Sequence, residues 1–405
     1  MLYHLYDWHK SLLSPVRVTA ETLQHIYSHP YVPFAYTQMG RAVAAGAELV
    51  ERATRRYRKP DFGLDAISID GREVAVDAEV VDRRTFCDLV HFRRDTPRED
   101  PRVLIVAPLS GHFASLLRDT VAAMLPDHDV YITDWIDAAS VPLSRGHFDL
   151  DDYVDYLVEF IRRLGPELHV IAVCQPSVPV VAAVSLMAAC RDPATPRSMT
   201  LMGGPIDTRV NPTKVNLLAR HRSLRWFERA VITTVPPTYP AFLRRVYPGF
   251  IQLTGFMTMN LDRHVGSHMD QFRHLVRGDG ESAGAHRRFY DEYLSVMDLP
   301  AEFFLQTVKI AFQDHALPLG TWISRDRPVE PRAIDATALM TVEGEFDDIS
   351  APGQTRAAHY ICTNVPPQRR RHLLQPHVGH FGIFSGRRWR TEILPQLRSF
   401  IRDRS

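Results

Sequence analysis

The sequence predicts an α/β fold: a mostly parallel central sheet, an inserted, largely helical cap, and a helical N-terminal extension. Three observations carry that reading. Short apolar, β-branched runs at 103–109, 129–135, 168–173 and 198–204 alternate with helix-like stretches, as βαβ units do. From about 206 to 332 the alternation stops, and aromatic residues crowd helix-like runs. From 333 the strand pattern returns. The chain of 405 residues is too long for one small core. It divides into an extension (1–60), a core (61–205 and 333–405) and a cap (206–332).

Taken in order, residues 1–60 read as amphipathic helices interrupted by Pro15, Pro30 and Pro33, an extension packed on the main domain. Arg72 to Val81 alternates like a half-exposed strand, and 86–92 reads as a second strand. Val103 to Leu109 is a buried strand, followed by the loop Ser110-Gly-His and a helix over 113–125. Asp129 to Trp135 is the next strand. Asp151 to Leu164 is a helix with Tyr153, Leu157, Phe160 and Ile161 on one face. Leu168 to Val173 and Ser198 to Gly204 are strands, with an apolar helix from Val180 to Cys190 between them. In the cap, Arg287 to Phe312 reads as one long helix, and most aromatics serve the cap's own core. Strands at 336–342 and 371–374 and a helix at 388–402 complete the chain.

Composition narrows the function. Hydrophobic content of 45% and charged content of 23% are ordinary for a soluble globular protein. A net charge of +1 gives no electrostatic case for nucleic acid or an acidic membrane surface. Cys87, Cys174, Cys190 and Cys362 are scattered and form no CxxC pair, which argues against a metal site. Their scarcity fits a reducing, cytoplasmic compartment. The N-terminus has no basic segment leading into an apolar core, so no signal peptide is expected. Nor does any run of about 18 apolar residues predict a membrane span.

The chemistry centres on Val173-Cys-Gln-Pro-Ser-Val-Pro. A thiol there sits at a sharp strand-to-helix corner, the geometry of a nucleophile elbow. Ala172 supplies the small residue two positions before Cys174, but Pro176 replaces the usual glycine two positions after it. Taken alone, the stretch fits a buried core cysteine equally well. Order along the chain decides. An α/β-hydrolase places its acid after a later strand and its histidine before the last helix. Asp347 and Asp348 follow the strand 336–342, and His380 precedes the terminal helix.

All three positions lie at carboxyl ends of strands, where open parallel sheets keep their sites. A free thiol with pKa about 8.5 is only slightly ionised at neutral pH, so it needs a neighbouring imidazole. His380 would take its proton and return it to the leaving alcohol. Asp347 would hold the imidazole, while Asp348 caps the next segment through the backbone. His377 competes with His380, but Gly379 and Gly382 let the His380 ring approach. The oxyanion hole falls to the Gln175 backbone N–H and an N–H at Leu109 or Ser110. Ser177 lacks the elbow position. His112 is a candidate substrate contact or a partner for its own loop. Trp226 and Phe256 are candidate substrate contacts from the cap.

These residues resemble a known family, the intracellular polyhydroxyalkanoate (polyhydroxybutyrate) depolymerases, nearly end to end. The resemblance is carried by Tyr57-Arg-Lys-Pro-Asp-Phe-Gly, Val106-Ala-Pro-Leu-Ser-Gly-His-Phe-Ala and His128-Asp-Val-Tyr-Ile-Thr-Asp-Trp. It continues in the elbow stretch, Met202-Gly-Gly-Pro-Ile-Asp, Phe289-Tyr-Asp-Glu-Tyr-Leu, Val342-Glu-Gly-Glu-Phe-Asp-Asp-Ile and Val378-Gly-His-Phe-Gly.

It implies a cysteine-centred triad, matching Cys174, Asp347 and His380, that cleaves stored polyester. It also implies a granule-associated enzyme giving 3-hydroxybutyrate or its oligomers, with no required cofactor. A thioester intermediate would also admit coenzyme A as an acyl acceptor beside water. The competing readings are a synthase-like acyltransferase and a non-catalytic granule protein.

Overall fold

The computed structural model describes residues 2–259 and 261–404. One nine-stranded sheet organises the chain: β1 (Ala66–Ile69), β2 (Arg72–Arg83), β3 (Cys87–Arg94), β4 (Arg102–Val106), β5 (Asp129–Trp135), β6 (His169–Val173), β7 (Ser198–Met202), β8 (Ala338–Gly344) and β9 (Arg370–Gln375). Their order across the sheet is β1-β2-β3-β5-β4-β6-β7-β8-β9. The first three pair antiparallel, and β3 also runs antiparallel to β5. From β5 to β9 every pairing is parallel. This is an α/β-hydrolase sheet.

Burial explains the difference between the two halves. Every residue of β6, β7 and β8 is buried, as strands covered on both faces must be. In β2 only Val76 is buried, so its alternation does not mark a half-buried face as the sequence suggested. The strand lies toward the edge of the sheet on β3, and its register shifts between Val80 and Asp82.

Helices cover the sheet. Among them are α4 (Arg118–Met124), α5 (Leu150–Leu164) and α6 (Ser177–Ala189), named after the N-terminal α1 (Leu2–Leu12), α2 (Ser14–Ser28) and α3 (Gln38–Thr54). A reciprocal capping box between Asp149 and Asp152 starts α5. Val180, Val181, Ala182, Ala183 and Val184 are all fully buried, because α6 is apolar all round and lies beneath the elbow.

Between β7 and β8 lie α7 (Lys214–His221), α8 (Leu224–Ala230), α9 (Gly249–Met259), α10 (Leu261–Arg277), α11 (Gly280–Tyr293) and α12 (Ala301–Thr307). The single helix expected over 287–312 is thus two. The chain leaves α11 to bridge the core, where Met297 N–H donates to Gly111 O at 2.7 Å. It then pairs Leu299–Pro300 with Val246 and Tyr247.

The extension packs on this inserted region more than on the sheet. Arg52 pairs with Asp291 at 2.7 Å, and Arg287 grips Glu48 at 2.5 Å. Tyr6 stacks on Phe250, and the Tyr3 hydroxyl donates to Asp298. The extension also touches the core, through the Lys59–Asp134 ion pair and through Tyr3 packed with Ala138 and Ala139. Helix α13 (Leu394–Arg402) closes the fold. Among the described residues no helix is long and apolar enough to cross a membrane.

Candidate active site

Cys174 leaves β6 in the left-handed region, at φ +69°. A non-glycine residue held there costs on the order of 1–3 kcal/mol, which the surroundings must enforce. They do so by two backbone bonds. Cys174 N–H donates to Met202 O at 2.7 Å, and Cys174 O accepts from Ser177 N–H at 3.1 Å. Gly203 and Gly204, directly after β7, make the close approach possible. A Cβ on Gly204 would lie 2.1 Å from Ser177 Oγ, and one on Gly203 would lie 3.1 Å from His380 Cε1. A Gly-Gly pair immediately after a buried strand is the sequence signal for this spacing, and its role was not drawn from the sequence. Ser177 itself is wholly buried against Gly204.

The Asp347 carboxylate is anchored twice. Its Oδ1 accepts N–H groups of Ile349 (2.9 Å) and Ser350 (2.8 Å), and its Oδ2 meets His380 Nδ1 at 2.7 Å. The Asp347 carboxylate therefore also caps the segment that follows it. His380 opens the 3-10 turn His380–Ile383, is buried, and feels the charge of both Asp347 and Cys174. Burial by itself pushes the imidazolium down, but the charge of Asp347 and the contact with Cys174 outweigh it. His380 is held well above the ordinary histidine value. With Nδ1 on Asp347, Nε2 is the nitrogen left for the thiol. His377, by contrast, is exposed and turned toward Glu345 at 3.5 Å.

A cavity of about 130 Å³ opens beside His380. Phe256 of α9, Arg263 of α10 and Tyr293 of α11 line it from the cap, and Asp348, His380 and Phe381 from the core. Phe256 is thus brought to the site. Trp226 is not: it packs on Phe227 and Arg222 in a separate cluster with Phe304. Helix α8 buries Phe227 against Phe304 of α12 and leaves Trp226 half-buried beside it, a tertiary choice that aromatic content does not encode.

His112 is pinned rather than free. Its Nε2 is 3.0 Å from Tyr293 O, its backbone bridges Val296, and burial pushes its pKa down to about 4. Leu109 N–H donates to the Gln175 side-chain Oε1 at 3.3 Å. That N–H is therefore occupied in this structure, whereas the N–H groups of Ser110 and Gln175 make no bond among the described residues. Tyr293 and Arg263 were missed in the sequence because each reaches the cavity from a cap helix far along the chain from Cys174.

A family model described as PHB de-polymerase C-terminus matches residues 203–405, half of the chain. That stretch contains Asp347 and His380, and Cys174 precedes it. No curated protein matches the chain.

Similar solved structures are distant. A putative lipase from Acinetobacter baumannii AYE is 11% identical, with TM-score 0.44, over 81% of this chain and 93% of its own. The monoacylglycerol lipase of Paleococcus ferrophilus is 13% identical, with TM-score 0.43, over 75% and 95%. A 2-hydroxy-6-oxo-6-phenylhexa-2,4-dienoate hydrolase from Rhodococcus sp. strain RHA1 is 12% identical, with TM-score 0.47, over 81% and 99%. At such distances the fold rests on the sheet order and the elbow described above. By the family match, the chain belongs to the PHB depolymerase family and is an ester hydrolase of the α/β-hydrolase fold.

Proposed function

We propose that this protein cleaves the ester bonds of stored polyhydroxybutyrate by a Cys174–His380–Asp347 covalent mechanism, releasing 3-hydroxybutyrate or its oligomers. One observation carries the reading: buried His380 hydrogen-bonds Asp347, is electrostatically coupled to Cys174 and lines the cavity beneath the cap.

The thiol proton passes to His380, and sulfur adds to the ester carbonyl while the π pair moves to oxygen. Collapse of the tetrahedral adduct expels the alkoxide, which takes the proton from His380 and leaves an acyl thioester. Water then attacks, gives its proton to His380, and Cys174 departs as thiolate. Asp347 stabilises the imidazolium formed in each half-reaction. The raised His380 value supports this division of labour.

A thioester is close in energy to an acyl-coenzyme A, so coenzyme A serves as a second acyl acceptor in this reading. The aromatic lining suits a weakly polar polyester chain. Granule association belongs to the same proposal. Exposed Leu5, Trp8 and Leu12 of α1 join Phe242 and Leu243 of the cap as candidate surface contacts.

The test is release of 3-hydroxybutyrate from amorphous granules by the native protein and by Cys174→Ala. Release lost in a variant that stays folded supports the proposal, and equal release from both removes the cysteine from the mechanism. Coenzyme A added to the native enzyme is expected to divert product to coenzyme A esters. Unchanged products and rate would exclude it as acceptor.

A further inference from the structure

Strands β4 and β6 are paired with Val106 opposite Ala172. Leu109 and Gln175 each lie three residues beyond that pair. The bond from Leu109 N–H to Gln175 Oε1 therefore spans the gap above the two strand ends, beside the elbow. An acyl oxygen attacked by Cys174 must be received in this gap. The Gln175 side chain closes it from one side and is only 9% exposed. Its other atom, Nε2, is buried without a hydrogen-bond partner. A buried amide N–H without an acceptor is costly, and native proteins keep few of them.

The facing loop is not free to supply an acceptor. Gly111 O takes the Met297 N–H at 2.7 Å, and a Cβ at Gly111 would meet Gln252 Oε1 at 2.6 Å. His112 is tied to Tyr293 O at 3.0 Å. The cap thus clamps residues 111–112, and the carboxamide is left with one anchored oxygen and one waiting donor.

We propose that the Gln175 carboxamide is an oxyanion donor. Leu109 N–H orients it by holding Oε1, and Nε2–H together with the Gln175 backbone N–H meets the oxygen of the tetrahedral adduct. This gives Leu109 a positioning role in place of the direct contact expected from the sequence. The proposal rests on the cysteine mechanism above.

The test compares native protein with Gln175→Glu, which keeps the acceptor for Leu109 but loses the donor, and neutral Gln175→Met, which loses both. Hydrolysis of p-nitrophenyl butyrate is measured with folding checked by circular dichroism. Loss of one oxyanion donor lowers kcat by about 10²-fold or more, and both variants are expected to show this with KM within about twofold. Alkylation of Cys174 by iodoacetamide forms no oxyanion, so Gln175→Met should leave its rate within about twofold.

Should Gln175→Met fold poorly, the isosteric Gln175→Glu decides. Near-native kcat in a folded variant, with Cys174→Ala inactive, overturns the role of Gln175 alone. Hydrolysis that survives Cys174→Ala overturns the cysteine mechanism and this role with it.

Discussion

The parallel half of the sheet and the extension-plus-cap half are built on different physics. Strands β6, β7 and β8 are buried along their whole length, and the apolar helix α6 is packed beneath them. Their stability comes from area removed from water. The extension meets the cap through Arg52–Asp291, Arg287–Glu48 and the Tyr3–Asp298 hydrogen bond, while α1 leaves Leu5, Trp8 and Leu12 exposed. Cys174, Asp347 and His380 all hang from the first half, and Phe256, Arg263 and Tyr293 reach the cavity from the second. The three candidate groups thus sit on the fully buried part, and the cap side of the cavity sits on the part that also carries these ion pairs.

The largest effect that would test this contrast is on catalysis. Asp347→Asn keeps an acceptor for the Ile349 and Ser350 N–H groups but removes the charge beside His380. Its kcat on a soluble ester is expected to fall about 10³–10⁴-fold with the urea midpoint little moved. A smaller loss would leave the charge of Asp347 without the role proposed for it.

Next comes stability. Ile171→Ala, in β6, should cost about 2–5 kcal/mol in urea unfolding. Leu12→Ala, on the exposed face of α1, should stay within about 0.5 kcal/mol. Similar costs at the two sites would erase the distinction between the halves.

The smallest effect is on pH dependence. Burial raises the Asp298 carboxyl to about 7, while the Gly249 N–H pulls the other way. An unfolded aspartate titrates near 3.9. The folded state therefore binds the extra proton between about pH 4 and about pH 7, so stability from this group is highest below that window and declines as pH rises through it. Asp298→Asn cannot ionise and should flatten the decline, read as thermal midpoints at about pH 5 and about pH 8. An unchanged slope would place the pH response elsewhere.

Much of this was legible in the sequence. The alternation of β-branched runs and helices, the order Cys174, Asp347, His380, and the aromatic insertion are local patterns, and strand or helix periodicity records them directly. The acid and its histidine are named by where strands end, which is also local.

What escaped depends on contacts between distant segments. The extension settled on the cap because Glu48 and Arg52 found Arg287 and Asp291, more than two hundred residues away. Trp226 turned into its own cluster while Phe256 turned to the cavity, although both are aromatics of one insertion. The sequence by itself determined the sheet, the elbow and the three candidate groups, because backbone pattern and residue chemistry are written position by position. Only the tertiary structure decided that Gly203 lets His380 approach and Gly204 lets Ser177 approach, and that Gln175 Oε1 engages Leu109 N–H. Close approach and hydrogen-bond partnership belong to pairs of residues, and no single position records its partner.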